Sequence, residues 1–560
     1  MNNTTKKNKK YKHNFFYDIF WKILLNNEIE MVFGIPGSPI DALLSKKPKQ
    51  IVWKNVGNEL QNGFVSQIYG EYTNNVGYLF VTSGPGISTA ISALEQAIYE
   101  EKPLIIVSDV DSNANFGDFQ SWDIKNISKS LTDNFFYIKN KKDVFSVMKK
   151  SYEKAKHFNT GVILLFEKNI FIERMYKIPK INMKPINMNK LKLANDLKNY
   201  NFKNVLLVIG RLNVNDYPYL IEFIKVNNLP FVTTWKGRFS IKNYILNCGR
   251  IGTLGKHSGN YALYNATHLL VIGSVSGLLK NSIKNKFSVM FTENKHIISL
   301  SYNKKFSLES NIVYEINALS NILENLKLMP KNDWINRLIK SNSILNVDLP
   351  RISKLEKFTY MASLVYKNNN LTIPVSIDVG NNWYAMGKYM DTEKPNCFES
   401  STTWASIGIA ISNGIAIHYA TNKEVWVFIG DGGTWFSSND LLYLLNNQHL
   451  PITVTIYVNH IYAAITEDFT IKNYKRSEVS KVPNIPILNI LPNCHIFYDE
   501  KKYHHYLNNN IKNDKVRFII IMIPDTDIDN YVYEINADSE YEENLKNDMF
   551  DNILNTKMIL

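Results

Sequence analysis

Short apolar runs recur along this chain, each bounded by glycine, proline or a polar pair and each followed by a longer mixed stretch. Early runs are "MVFGI" at 31–35, "VGYLFVT" at 76–82 and "PLIIVSD" at 103–109. The middle carries "VLLVIG" at 205–210, "LPFVTT" at 229–234 and "HLLVIGS" at 268–274. The last third carries "IPVSIDVG" at 373–380, "VWVFIGDG" at 425–432, "ITVTIYVN" at 452–459 and "RFIIIMI" at 517–523. Runs of this length without alternation read as strands buried on both faces. Strands alternating with helix-length stretches predict parallel sheets. The fold class expected is therefore α/β, with three consecutive doubly wound parallel-sheet domains at 14–175, 190–328 and 354–533 and tails at 1–13 and 534–560. The polar link "YKIPKINMKPINMNK" at 176–190 separates the first two.

Length supports that division, since 560 residues exceed one ordinary core. The net charge of +13 raises the question of nucleic acid, but the only dense basic run is "KKNKKYK" at Lys6–Lys12. Scattered lysines and a basic end argue against a nucleic-acid partner. The abundance of Lys, Asn and Ile reads as codon bias without chemistry. Cys248, Cys397 and Cys494 form no metal-spaced pair, which argues against zinc and against a disulfide framework. The N-terminus has no signal-peptide core and no run reaches membrane-spanning length. A soluble protein of a reducing, cytoplasmic compartment is expected.

Candidate chemistry begins at "GDGGTWFSSNDLLYLLNNQHLPITVTIYVNH", residues 430–460. A strand runs into a Gly-rich turn, and the next strand ends on Asn459. Both strand ends should meet at one sheet edge, where α/β proteins bind ligands. Gly430, Gly432 and Gly433 allow positive φ and close backbone approach, so amides can face a diphosphate. Asp431 and Asn459 offer hard oxygen ligands suited to Mg²⁺.

GDG followed by a strand-end Asn resembles the diphosphate and metal motif of thiamine-diphosphate enzymes. The stretches "VGNELQNGFVSQIYGEYT" (56–73), "FVTSGPGISTAISALEQAIYEEKPLIIVSDV" (80–110), "FGIPGSPIDALL" (33–44), "GDFQSWD" (117–123), "TTWKGRF" (233–239) and "LGKHSG" (254–259) extend the likeness over nearly the whole chain. In them the sequence is similar to the large, catalytic subunit of acetolactate synthase. The resemblance implies pyrimidine-binding, middle Rossmann-like and diphosphate-binding domains in that order. It also implies thiamine diphosphate, which serves as the electron sink. Glu59 would hydrogen-bond the aminopyrimidine, with Thr82 and Gly84 beside it, and Gln120 would face the reacting intermediate. Ile407, in "TTWASIGIAISNGIA" (402–416), would wedge the two cofactor rings apart. Gly380, Asn381 and Asn382 of "DVGNNW" would contact the diphosphate together with Gly432 and Gly433. Asp431, Asn459 and the carbonyl of Ile461 would hold Mg²⁺. Family members assemble active sites between subunits, so a homo-oligomer, dimer or tetramer, is implied.

Several positions depart from the family. Val458 replaces the first of two paired asparagines. "IGSVSGLLKNS" (272–282) stands where flavin-using synthases carry an arginine-bearing segment, which argues against FAD. Ser38 stands where simple decarboxylases have an Asp, and their His-His pair is absent. "HIYAAITEDF" (460–469) is shorter than the synthase loop and lacks its tryptophan. The reading is decarboxylation of a small 2-keto acid, pyruvate first, with carboligation to an acceptor. The alternatives are a relative with another donor or acceptor, or a catalytically silent paralogue.

Overall fold

The computed structural model describes residues 14–37, 40–115, 117–120, 123–175, 204–252, 255–275, 295–302, 312–315, 319, 323, 326–345, 353–392, 395, 397–474 and 478–526. Ser38, most of 272–282, the link 176–190 and both tails lie outside them.

The architecture is α/β, with three six-stranded parallel sheets. The first contains β1 (Met31–Gly34), β2 (Val52–Lys54), β3 (Gly77–Phe80), β4 (Leu104–Val110), β5 (Phe135–Ile138) and β6 (Gly161–Glu167). Its order is β2-β1-β3-β4-β6-β5. The second contains β7 (Val205–Ile209), β8 (Phe231–Thr233), β9 (Asn247–Arg250), β10 (His268–Ile272), β11 (His296–Ser301) and β12 (Ile312–Glu315), ordered β9-β8-β7-β10-β11-β12. The third contains β13 (Val375–Ile377), β14 (Phe398–Ser400), β15 (Val425–Gly430), β16 (Ile452–Val458), β17 (Cys494–Phe497) and β18 (Arg517–Met522). Its order, β14-β13-β15-β16-β18-β17, repeats that of the first sheet.

The interior strands are buried along almost their whole length: every residue of β4, β7 and β16 is buried. That requires apolar side chains on both faces, which is why these runs do not alternate. Helices begin and end on identifiable residues. Ser353 and Glu356 form a reciprocal cap at the start of helix Lys354–Asn368. Asn159 and Asn422 take left-handed backbone at the ends of helices Val144–Phe158 and Ala410–Thr421. Asparagine tolerates that conformation better than other non-glycine residues, so the Asn-rich composition does carry structural information.

Chain contacts form two compact units. The first holds the first sheet; the second holds the other two sheets together with Ile98–Glu101. Within the second unit, Gly387 lies against the Trp235 ring so closely that a Cβ there would stand 1.5 Å from it. Among the described residues no helix is long and apolar enough to cross a membrane.

Candidate functional site

Strand order in the third sheet reverses between β13 and β15, and ligands of such sheets bind in the crevice beyond the carboxyl ends at this point. Here the chain leaves β13 as Asp378–Asn382 and leaves β15 as Gly430–Gly433. A cavity of about 220 Å³ opens between them. Its walls include the nine residues that the resemblance implies for cofactor and metal in this part of the sequence: Gly380, Asn381, Asn382, Ile407, Asp431, Gly432 and Gly433, with Asn459 and Ile461.

Each residue is placed by local structure. Gly380 has φ +113° and precedes helix Asn381–Tyr389, whose first backbone amides lack helical acceptors. The Asn382 amide group donates to the Asp378 carbonyl at 3.0 Å, tying the helix start to the end of β13. Asp431 is buried, and its Oδ2 accepts from the backbone N–H of Asn459 (3.1 Å) and of His460 (2.6 Å). Burial pushes its carboxyl up from the usual value, against these hydrogen bonds. Asn459 Oδ1 accepts from the Ile461 N–H at 3.2 Å. The two polar strand ends therefore clasp one another with their oxygens at the cavity wall.

The Gly-rich stretch differs from the turn expected. Asp431–Phe436 is a short helix that starts from Gly430, and none of Gly430, Gly432 and Gly433 has positive φ. The smallness of Gly432 and Gly433 serves close approach instead. A Cβ on Gly432 would lie 2.6 Å from the Tyr462 ring, and one on Gly433 would lie 1.8 Å from Asp378 Oδ2. Positive φ occurs at Gly380 and at Gly408 (+78°), next to Ile407.

Asp378 has a larger part than the sequence suggested. It is fully buried and accepts from the N–H groups of Gly408 and Ile409, both at 3.0 Å, so it fixes the backbone immediately after Ile407. Burial raises its carboxyl to about 7. Behind it Asp440, also buried, is raised to about 8, first by burial and further by Asp378, while accepting from Ser412 Oγ at 2.8 Å. Glu100 is a second residue that sequence reasoning missed. Buried in the second unit, it accepts from the N–H groups of Thr402 (2.8 Å), Thr403 and Trp404 (2.9 Å) and pairs with Lys236 at 2.7 Å. Burial pushes its carboxyl up, but the Lys236 charge and these hydrogen bonds prevail and hold it at about 2. An acidic pair before a proline, "YEEKP", was its only signal.

The first unit has its own cluster at the equivalent reversal, between β1 and β3. Asn58 Oδ1 accepts from the N–H groups of Leu60 (3.0 Å) and Gln61 (3.2 Å), capping helix Glu59–Tyr72 so that Glu59 stands at its first turn. A Cβ on Gly86 would lie 3.4 Å from Glu59 Oε1. Thr82 Oγ1 donates to Gln120 Oε1 at 3.1 Å. Gly84, at φ +62°, lies against the Gln120 backbone, where a Cβ would be 2.9 Å from its carbonyl oxygen. Glu59 and Thr82 both border Gly86, and Thr82 and Gly84 both meet Gln120, so the four form one cluster. Nearby, burial raises the Asp109 carboxyl to about 6.

The cavity of the second unit has the features a diphosphate needs: a helix start beside Gly380, two glycines without room for side chains, and hard oxygen donors from Asp431 and Asn459.

Comparison with known proteins agrees with this geometry. Residues 16–127 match the thiamine pyrophosphate enzyme N-terminal TPP binding domain, and residues 378–515 match the C-terminal TPP binding domain. The acetolactate synthase large subunit of Buchnera aphidicola subsp. Acyrthosiphon pisum (strain APS) is 23% identical over 444 residues, 75% of this chain and 77% of that protein. The acetolactate synthase large subunit of Lactococcus lactis subsp. lactis (strain IL1403) is 22% identical over 491 residues, 82% of this chain and 84% of that protein. Acetolactate synthase isozyme 3 large subunit of Escherichia coli (strain K12) is 21% identical over 475 residues, covering 80% and 82%.

Proposed function

We propose that this chain, a thiamine-diphosphate-dependent enzyme of the decarboxylase and carboligase superfamily and similar to acetolactate synthase large subunits, decarboxylates a small 2-keto acid, pyruvate first, and transfers the acyl unit to a second carbonyl compound. The observation that carries the reading is the convergence of all nine residues named for diphosphate, ring and metal on one cavity at the switch point of the third sheet.

Thiamine diphosphate, when bound, supplies the electron sink for loss of CO₂. The chain's residues do the rest. The amides at the start of helix Asn381–Tyr389 and the backbone at Gly432–Gly433 hold the diphosphate. Asp431, Asn459 and the Ile461 carbonyl hold Mg²⁺. Ile407, its backbone fixed by Asp378, presents an apolar side chain to the cavity. Glu59 would hold the aminopyrimidine through a hydrogen bond from its carboxyl group, which would carry the proton there. Gln120, oriented by Thr82, faces the substrate carbonyl. The active enzyme is a homo-oligomer of the cytoplasm and works without FAD.

The test is pyruvate consumption by purified protein with thiamine diphosphate and Mg²⁺, with and without FAD, with products resolved as acetolactate or acetaldehyde. Acetolactate formed without FAD supports the reading. Cofactor binding with no pyruvate turnover rejects pyruvate as donor, and absence of cofactor binding rejects the reading altogether.

A further inference from the structure

The second unit holds another cavity, of about 390 Å³, against β8, β9 and helices Lys354–Asn368 and Asn381–Tyr389. This is within the size range of small-molecule sites. It is not at the reversal of strand order in the middle sheet: Gly210 and Ser274, which meet there, are not among its lining residues. Its walls are cationic, with Arg238, Arg250, Lys256, Lys367 and Lys388 against a single carboxylate, Asp391.

The ion pairs leave this charge unbalanced. Asp391 is shared by Arg250 Nε (3.4 Å) and Lys256 Nζ (2.8 Å), while Lys388 pairs with Glu356 at 3.1 Å. Arg238 hydrogen-bonds only to neutral carbonyls among the described residues, and the charge that attracts it is again Asp391. Arg238 is 4% exposed, and its guanidinium donates to the carbonyls of Met390 (2.6 Å) and Gly387 (3.1 Å). Its Nε is buried with no acceptor among the described residues. Arg250 donates to the carbonyls of Gly387 and Lys388 beside it. Two buried guanidinium groups thus stand together over one shared carboxylate, an arrangement whose desolvation cost an anion would offset. The planar fork of arginine suits the paired oxygens of phosphate and carboxylate.

We propose that this cavity is a binding site for a small dianion, phosphorylated or dicarboxylic, held by Arg238 and Arg250 with Lys256 and Lys367 at its rim. The site is separate from the diphosphate cavity and the inference does not depend on the activity proposed above.

The experiment is calorimetric titration of the full chain, loaded with thiamine diphosphate and Mg²⁺ so that the first cavity is filled. The probes are inorganic phosphate and, separately, malonate, against chloride at matched ionic strength. Saturable binding is expected, by phosphate if the natural ligand is phosphorylated and by malonate if it is a dicarboxylate. Lys256→Gln and Lys367→Gln should each weaken it by roughly tenfold without changing the thermal midpoint by more than a few degrees. No saturable binding of either probe, or binding equally tight in both variants, overturns the proposal and leaves the two arginines as caps of helix Asn381–Tyr389. If the chain does not take up thiamine diphosphate, the same titration on unloaded protein still decides the matter through the two variants.

Discussion

The Asp378 carboxylate lies directly behind Gly433: a Cβ on Gly433 would stand 1.8 Å from Asp378 Oδ2. One buried carboxylate thereby sets both the position of the diphosphate turn and, through Gly408 and Ile409, that of the Ile407 loop. Gly433→Ala must push the two apart. Strain of this kind costs about 1–3 kcal/mol, and the displaced turn should lower thiamine diphosphate affinity at least about tenfold. A titration matching the parent protein would show that the turn does not need this contact.

Asp378 and Asp440 make stability depend on pH. Their carboxyls move from an ordinary 3.8 to about 7 and about 8 in the fold, so the folded chain binds more protons than the unfolded one between those values. Stability must then fall as pH rises from about 4 to about 8. Asp440→Asn keeps an acceptor for Ser412 and removes one ionisable group, so its denaturant midpoint should decline less than the parent's across that window. Parallel pH profiles would count against the buried-acid account.

Glu100 predicts the opposite slope at acid pH. Its carboxyl drops from 4.5 to about 2, so its stabilisation is complete above about 4.5 and is lost as pH falls through about 2. Glu100→Ala removes the carboxylate paired with Lys236 and the acceptor of three backbone donors, a loss of about 3–5 kcal/mol at neutral pH. Urea unfolding of parent and variant measures it; a difference within error would mean that water replaces the carboxylate without cost.

Glu59→Gln retains the size of the side chain but removes the carboxylate. Turnover should fall by about 10²–10⁴-fold, the range for positioned acid–base groups, with thiamine diphosphate affinity nearly unchanged. A variant with parental kcat would remove Glu59 from the chemistry.

Asp431 supplies both a metal oxygen and the clasp on Asn459 and His460. Asp431→Ala should abolish Mg²⁺-dependent cofactor binding, and chelation of the parent protein should reproduce the loss of cofactor, though not the change in thermal midpoint that follows from freeing three backbone N–H groups, those of Gly432, Asn459 and His460. Equal midpoints for chelated parent and variant would show that the clasp contributes nothing.

The apolar pattern by itself determined the α/β class, the parallel sheets and most of the interior strands, although Gly161–Glu167 and His296–Ser301, interior too, were not among the runs named. All the strands named from it are interior strands, and every edge strand, from Val52–Lys54 and Phe135–Ile138 to Phe398–Ser400 and Cys494–Phe497, escaped it. The physical reason is that an interior strand must be apolar on both faces, whereas an edge strand such as Cys494–Phe497 is only half-buried and looks like loop. Motif spacing likewise determined which residues in the third sheet converge, because strand-turn-helix-strand connectivity returns Asn459 to the level of Asp431. What only the tertiary structure decided are contacts between segments distant in the chain. Gly432 and Gly433 are small to admit Tyr462 and Asp378 rather than to take positive φ. Glu100 meets Thr402–Trp404 some three hundred residues on, and Arg238 and Arg250 meet the end of helix Asn381–Tyr389. No local pattern encodes such partners, since a buried charge is written in sequence like an exposed one and only packing reveals what surrounds it.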